Sequence, residues 1–168
     1  VHPDNPDRCL KVLTEASKPE RRRAKKGLLG RLRPLHTFDE NHQEHTALNA
    51  LWSKFNDSIT CHIPKTYGIP LTDMGPAHEM DLIRDSDGRI AQTLEQYLWN
   101  IGQDEPLQQA LDTFCTDWRS DAPSTRALLP HNIVVQSKNQ SLNLILIDGY
   151  GRSPAACVPR VWHNWRTR

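Results

Sequence analysis

Four polar side chains stand where the surrounding sequence pattern predicts apolar ones. Lys11 lies inside the alternating run Arg8–Leu13, and Glu44 lies on the apolar stripe of the helical segment that follows. Asn132 directly precedes a β-branched run, and Asp148 ends the most hydrophobic run of the chain. Charged groups are rarely buried without a partner. Glu44 therefore requires a cation, and the other three positions also need an explanation.

A nucleoside triphosphate with Mg²⁺ would use all four side chains. The Lys11 ammonium can neutralise the phosphates while the Glu44 carboxylate holds it in place. The amide oxygen of Asn132 and the carboxylate of Asp148 are hard ligands of the kind that Mg²⁺ prefers. Glycines at 149 and 151 leave room for the ion and its phosphates. The expected ligands are therefore ATP and Mg²⁺.

The first half of the chain must position Lys11 and Glu44. The run Arg8–Leu13 predicts a strand, and the turn residues of Pro3–Asp7 predict a hairpin whose first strand ends at His2. From Phe38 to Phe55 the spacing becomes helical, with an apolar stripe of Leu48, Leu51, Trp52 and Phe55. An irregular segment follows, and then Ala77–Ile83 is a candidate strand.

The second half must position Asn132 and Asp148. Thr93 is a plausible N-cap for a short helix, and Glu105-Pro106 begins a longer one. Its apolar stripe comprises Leu107, Ala110, Leu111, Phe114 and Trp118. The runs Ile133–Gln136 and Leu142–Ile147 predict two strands joined by a five-residue loop. This segregated order of strands and helices predicts an α+β fold.

Composition excludes several classes of protein. The 168 residues suit one domain, and with 37% hydrophobic residues and a mean hydropathy of -0.66 no run approaches the ~20 apolar residues of a membrane span. The four cysteines are far apart, which is typical of reduced thiols and favours a cytoplasmic location. Cys61-His62 is the only Cys–His adjacency and a weak signal for zinc.

Basic residues are concentrated near the N-terminus although the net charge is only +1. Residues 17–34, broken by glycines and Pro34, predict a basic loop with at most a short helical turn. A solvated, mobile loop is the more frequent structure for such a run. Contact with nucleic acid or an anionic membrane is the alternative, and the side chains that would make it are Arg21, Arg22, Arg23, Lys25 and Lys26.

The residues singled out above occur in the order of a protein kinase. Cys9–Leu13 resembles the strand that carries the kinase lysine, and Glu44 resembles its helical partner. Leu129–Ile133 resembles the end of the catalytic loop, and Ile147-Asp148-Gly149 resembles the metal-binding Asp motif. Over most of its length the chain is similar to the YrbL family of bacterial kinase-like proteins, linked to the PhoP regulatory network. The segments that carry this closer likeness are His2-Pro3, Arg8–Lys11, Glu40–Glu44, Ile63-Pro64, Tyr67-Gly68, Asp81–Ile83, Asn132-Ile133 and Ile147–Gly149.

The resemblance implies a two-lobed, protein-kinase-like fold over residues 1–168. Residues 1–83 would form an N-terminal lobe that lacks its first strands, so the fold would be N-terminally truncated, and 84–168 would form a minimal C-terminal lobe. It also implies that Asn132 and Asp148 bind the metal. The implied nucleotide-binding residues are Lys11, Glu44, Met80, Asp81 and Leu82.

Two departures from the kinase pattern affect activity. The glycine-rich loop that covers the phosphates would lie before Val1, and Ala127 occupies the position expected for the catalytic Asp. A methyl group cannot accept a proton, and the nearest substitutes, Asp121 and His131, are not at the expected offset. The expected function is therefore an ATP- and Mg²⁺-binding regulatory protein, a pseudokinase or a very slow phosphotransferase. The alternatives are an active protein or small-molecule kinase with a displaced base, and a binding module that uses the basic stretch.

Overall fold

The computed structural model describes residues 1–55, 57–121, 123, 125 and 127–150. Their regular elements come in successive groups of short antiparallel strands and of helices. The strands are β1 Arg8–Val12, β2 Thr66–Gly68, β3 Leu71–Thr72, β4 Gly75–Asp81, β5 Gln92–Thr93, β6 Ile133–Lys138 and β7 Ser141–Leu146. The helices are α1 Pro19–Lys25, α2 Gly27–Arg31, α3 Glu40–Lys54, α4 Asp57–Thr60, α5 Leu94–Asn100 and α6 Glu105–Asp121. The predicted α+β class is confirmed.

The chain divides into two compact units, each with its own sheet. The first unit comprises Val1–Lys54 and Pro64–Ile83, and the second comprises Phe55–Ile63 and the chain from Arg84. Among the residues that the structure describes, no helix is both long enough and apolar enough to cross a bilayer. Cys9, Cys61 and Cys115 are free thiols.

The first unit is built around β4, which pairs with three antiparallel neighbours. Strand β1 lies on one side of β4 and β2 on the other, and β3 pairs with the beginning of β4. The β1–β4 register places Lys11 opposite His78. Helix α3 contacts β2 and β4 and contributes to the core through Leu48 and Leu51.

The predicted helix over 38–55 is confirmed as α3, with one change to its apolar stripe. Leu48 and Leu51 are buried, but 38% of the Trp52 surface is exposed to solvent. The indole N–H of Trp52 donates to the Pro64 carbonyl at 3.0 Å. Trp52 therefore lies at the edge of the core, where its polar atom has a partner and part of its ring meets water.

The second unit is a three-stranded sheet, β5-β6-β7, with α6 packed on β7. The predicted N-cap is confirmed, because the Thr93 hydroxyl accepts from the Gln96 amide while the Gln96 side chain accepts from the Thr93 amide. The predicted stripe of α6 is confirmed at its four buried positions, Leu107, Ala110, Phe114 and Trp118. These four side chains therefore form the buried face of α6.

The loop between the last two strands is shorter than predicted. Strands β6 and β7 continue to Lys138 and Ser141, which are paired, so only Asn139 and Gln140 form the turn. Both have positive φ angles, 50° and 65°. Two left-handed residues match the right-handed twist of a tight hairpin. The prediction of a five-residue loop was therefore wrong. Polar residues are common at the ends of strands as well as in loops, so their presence did not locate the turn.

Two other predicted irregular segments contain regular structure. The basic loop over 17–34 contains α1 and α2, and Pro19 starts α1 at a position where its missing N–H costs nothing. The irregular segment after Pro64 contains β2 and β3, which are too short to show an alternating pattern. At the N-terminus, His2 N donates to the Arg8 carbonyl at 2.8 Å, but residues 1 and 2 are not in a strand.

Candidate functional site

The predicted ion pair between Lys11 and Glu44 is present. Lys11 Nζ lies 2.7 Å from Glu44 Oε2. The Glu44 side chain is 1% exposed, whereas that of Lys11 is 31% exposed. The carboxylate is thus buried and the ammonium partly reaches solvent, so the pair presents a cation while concealing its counter-charge.

Helix α3 is held on β1 by a second polar contact one turn before Glu44. The Asn41 side chain is 1% exposed, and its Nδ2 donates to the Lys11 carbonyl at 2.8 Å. Because i and i+3 residues lie on the same helix face, Asn41 binds the Lys11 backbone while Glu44 binds its side chain. Helix α3 therefore holds both the backbone and the ammonium group of Lys11.

A chain of hydrogen-bonding side chains connects α3 with β2 and β4 beside Glu44. Thr66 Oγ1 lies 2.6 Å from His45 Nδ1 and 2.7 Å from His78 Nε2. The His78 ring is fully buried, and its Nδ1 lies 4.0 Å from Glu44 Oε2. The Asn49 side chain meets the other nitrogen of His45 at 3.0 Å.

These contacts assign the donor and the acceptor of each hydrogen bond in the series from Asn49 to His78. An amide nitrogen donates, so Asn49 makes His45 Nε2 an acceptor and leaves the proton on Nδ1. His45 then donates to Thr66, and the Thr66 hydroxyl donates to His78 Nε2. The remaining ring proton of His78 lies on Nδ1, which faces the Glu44 carboxylate. The series therefore places a ring N–H of His78 beside the Glu44 carboxylate, which also binds the Lys11 ammonium.

Met80, Asp81 and Leu82, predicted to bind nucleotide, have structural partners in the first unit. Met80 is buried. The Asp81 carboxylate accepts from the Lys65 amide at 2.8 Å and from the Tyr67 hydroxyl at 2.7 Å. The amides of Asp81 and Leu82 donate to the carbonyls of Lys65 and Asp7. A role in nucleotide binding stays a prediction, and these two amides would have to exchange partners to serve it.

Asn132 and Asp148 occur at the same end of the terminal hairpin. Asn132 ends a single 3-10 turn before β6, and its carbonyl accepts from the Ile147 amide at 2.8 Å, which extends the β6–β7 ladder by one pair. Asp148 is the next residue, and its Oδ1 accepts from the Gly149 amide at 2.5 Å. Asn132 Nδ2 donates to the Ala127 carbonyl at 3.2 Å. The Asn132 carboxamide oxygen, the atom that a metal would require, therefore points away from Ala127.

Ala127, which occupies the position expected for the catalytic Asp, packs against Gly149. Gly149 is buried with φ of 89°, and a Cβ at this position would lie 3.2 Å from the Ala127 carbonyl oxygen and 3.3 Å from its Cβ. Thr125 Oγ1 donates to the Gly149 carbonyl at 2.9 Å and holds the two segments together. A larger residue at 149 would displace the segment that carries Ala127.

The suggested substitutes for the catalytic base are not supported by a described interaction. The Asp121 side chain lies outside the part of the structure that is described. His131 is exposed within the 3-10 turn before β6. Sequence reasoning also missed the polar residues that support the site, namely Asn41, His45, Thr66 and His78. The signal for Asn41 was available, since it shares the stripe of Glu44 three residues earlier.

Removing Lys11 is expected to destabilise the protein more than removing its partner Glu44. Glu44→Ala should cost about 1–3 kcal/mol, because the partly exposed ammonium can still bind water. Lys11→Met should cost about 3–5 kcal/mol, because it removes the ammonium that neutralises a buried carboxylate. Urea unfolding measures both. The control is Glu40→Ala, on the same helix as Glu44, which removes a half-exposed 2.7 Å pair with Arg22 of α1 and should cost under about 1 kcal/mol. Equal losses for Lys11→Met and Glu40→Ala would contradict the buried pair.

Acidification should weaken the first unit through His45. Burial, and to a smaller extent the neighbouring His42, lowers the pKa of His45 below 6.5 in the folded protein. The unfolded chain then binds more protons than the folded one, so this contribution is complete above about pH 6.5 and is lost as the pH falls through the folded pKa. Unfolding free energies measured between pH 7.5 and 5 should fall less steeply for His45→Asn than for the wild type. An identical slope would contradict the prediction.

Gly149→Ala should destabilise the protein more than the same change at another left-handed glycine. Both Gly149 and Gly88 have positive φ, but a Cβ at Gly88 would have no neighbour within 4 Å. Gly88→Ala should therefore cost only the backbone strain, about 1–2 kcal/mol, and Gly149→Ala should cost this plus the collision with Ala127. Chemical unfolding measures the loss of stability in each variant, and the difference between the two losses gives the cost of the collision with Ala127. Equal costs would show that the Ala127 segment moves aside freely.

No curated protein matches the sequence of this chain. The family model described as PhoP regulatory network protein YrbL matches residues 1–168. With this match over its whole length, the chain belongs to the YrbL family of PhoP regulatory network proteins.

Proposed function

We propose that the chain is a kinase-like regulatory protein that binds ATP and Mg²⁺ and transfers phosphate very slowly or not at all. The observation that carries this proposal is the Lys11–Glu44 pair, 2.7 Å long with its carboxylate buried. Membership of a regulatory-network family supports the regulatory part of the proposal.

The asymmetric exposure of the pair supports a ligand-binding role for Lys11. A pair that served only to fasten α3 to β1 would gain little from burying a carboxylate, since desolvation offsets much of the Coulomb attraction. Asn41 already fastens the helix to the Lys11 backbone. In our proposal Glu44 holds the ammonium in one position, and the exposed side of the ammonium neutralises the phosphates of the nucleotide.

Asn132 and Asp148 supply the metal-binding part of the proposal. The hairpin brings their backbones to one end of the second unit, and the contact of Asn132 with Ala127 orients its amide oxygen. An amide oxygen with a carboxylate is a suitable donor set for Mg²⁺, which would screen the charge of the phosphates.

The kinase-like fold is part of the same proposal. The first unit has the lysine on β1, which pairs with the central strand β4, and the glutamate on α3 further along the chain. The second unit has helices followed by a terminal hairpin, with the asparagine before its first strand and the aspartate after its second. This order of functional residues on element types supports a protein-kinase-like architecture.

Slow phosphate transfer follows from Ala127. General-base help contributes about 10²–10⁴-fold to such reactions, and a methyl group supplies none. In our proposal the roles of Lys11, Asn132 and Asp148 precede the chemical step, so nucleotide binding survives the loss of the base. The alternative is an active kinase with a displaced base, and a measurement of turnover distinguishes it from the slow or inactive protein proposed here.

The first unit also favours a second candidate function, contact with an anionic surface. Leu28 and Leu32, one helical turn apart, are 79% and 83% exposed. The exposed basic side chains of Arg21, Lys25 and Lys26 precede them in the same segment of the chain. Apolar and basic side chains on one short segment suit a membrane surface. Arg22 and Arg23 contribute less, because Arg22 pairs with Glu40 and Arg23 donates to the Gly30 carbonyl.

ATP with Mg²⁺ should raise the thermal stability of the chain. A ligand at a hundred times its Kd adds ~2.7 kcal/mol of stability, which corresponds to several degrees in Tm for a protein of this size. The increase should be lost in Lys11→Met. In Asp148→Asn it should no longer depend on Mg²⁺. Lys138→Met, at an exposed strand end, is the matched control and should respond as the wild type does.

Two results would contradict this function. Binding to anionic vesicles or DNA with no response to ATP and Mg²⁺ would favour the surface-binding candidate. Transfer from radiolabelled ATP at ordinary kinase rates, ~1–100 s⁻¹, abolished by Asp148→Ala, would establish an active kinase. His131→Ala would then test the nearest described substitute for the base.

A further inference from the structure

Cys61, His62 and Asp117 form a cluster in the second unit, apart from the residues assigned to nucleotide binding. Cys61 and His62 follow α4, and Asp117 lies on α6. Their ligand atoms, one sulfur, one ring nitrogen and one carboxylate oxygen, all lie within 4.8 Å of one another. Cys61 is exposed, His62 is buried and Asp117 is half-buried, so the cluster is accessible from one side.

The contacts of His62 determine which of its nitrogens carries a proton. Nδ1 lies 2.7 Å from the Leu144 carbonyl, which can only accept, so Nδ1 is the donor. Nε2 lies 3.1 Å from Asp117 Oδ2. In a neutral ring Nε2 is a lone pair, and a lone pair facing a carboxylate is repulsive. The position between Nε2 and Asp117 Oδ2 therefore suits a cation that the two side chains share, either a proton or a metal ion.

Two further observations favour a metal ion over the proton. The Nδ1–H bond to a backbone carbonyl is the usual outer-shell contact of a metal-binding histidine, because it fixes the tautomer and the ring. The ring is 1% exposed and packs edge-on against Phe114, with centroids 5.0 Å apart, so its orientation is set before any metal binds. The Cys61 thiol lies beside the Nε2–carboxylate pair, although a proton-bridged pair would require no third group.

We propose that Cys61 Sγ, His62 Nε2 and Asp117 bind one zinc ion, with water as the fourth ligand. Nitrogen, sulfur and carboxylate oxygen are the ligands that zinc takes in proteins, at ~2.0–2.3 Å. Those bond lengths place tetrahedral ligands roughly 3.3–3.8 Å apart. The largest separation must therefore shorten by about 1 Å, which rotation of the exposed Cys61 side chain can supply. The ion ties the Cys61-His62 turn to α6.

Cobalt substitution tests the site without any variant. The full chain, free of a polyhistidine tag and kept reduced, is treated with a chelator and titrated with Co²⁺. One equivalent should produce the intense visible bands of tetrahedral Co²⁺ and a thiolate-to-cobalt charge-transfer band in the near ultraviolet. Stoichiometric Zn²⁺ should remove both. The absence of stoichiometric binding, or bound Co²⁺ without the thiolate band, would overturn the proposal and leave a proton as the cation between His62 and Asp117.

Variants identify the ligands. Competition with a chromophoric chelator measures zinc affinity, which should fall more than about 100-fold in Asp117→Asn and in Cys61→Ser, since even outer-shell changes cost 10–100-fold. Cys115→Ser, on the same helix as Asp117, is the control and should bind as the wild type does. Unchanged affinity in Asp117→Asn or Cys61→Ser would contradict the assignment. ATP binding is expected to be the same with and without zinc. A failure to bind zinc would therefore leave the proposed ATP binding untouched, and a failure to bind ATP would leave the zinc site untouched.

Discussion

The first unit is organised around one buried negative charge. A carboxylate with 1% of its surface exposed is tolerated only with a cation and further polar support. Glu44 obtains the cation from Lys11 on β1 and the support from His78 on β4. Asn41, one turn earlier on the same helix, contacts the backbone of Lys11. The placement of α3 against the sheet follows largely from this charge, as does the position of the Lys11 ammonium.

The second unit depends on packing at the end of its hairpin. Gly149 allows the chain to turn directly after Asp148 with a backbone angle that other residues avoid, and the absence of a side chain lets the Ala127 segment approach. Thr125 and Asn132 bind across the same contact. The small residue at 127 is thus accommodated structurally as well as being chemically inert.

Elements with a long periodic pattern could be predicted from the sequence. Helices α3 and α6 have apolar stripes over several turns, and the pairing of Lys11 with Glu44 followed from one charge on each of two apolar faces. The short strands β2 and β3 could not be predicted, because two or three residues carry no period. The His45–Thr66–His78 chain was equally inaccessible, since it depends on β-strand register between distant segments. The same holds for the approach of Asp117 to Cys61 and His62, because no spacing rule connects residues on separate elements.

The central claim is that Lys11 is held by Glu44 in order to contact the phosphates of ATP. An ATP analogue with an acyl group on its terminal phosphate tests this directly, because a lysine amine near the phosphates attacks the acyl carbon, forms an amide and releases ATP. Mass spectrometry of the labelled protein should find Lys11 modified, with protection by excess ATP and Mg²⁺ and loss of labelling in Lys11→Arg. Labelling confined to exposed lysines such as Lys25 and Lys26, unchanged by ATP, would contradict the account.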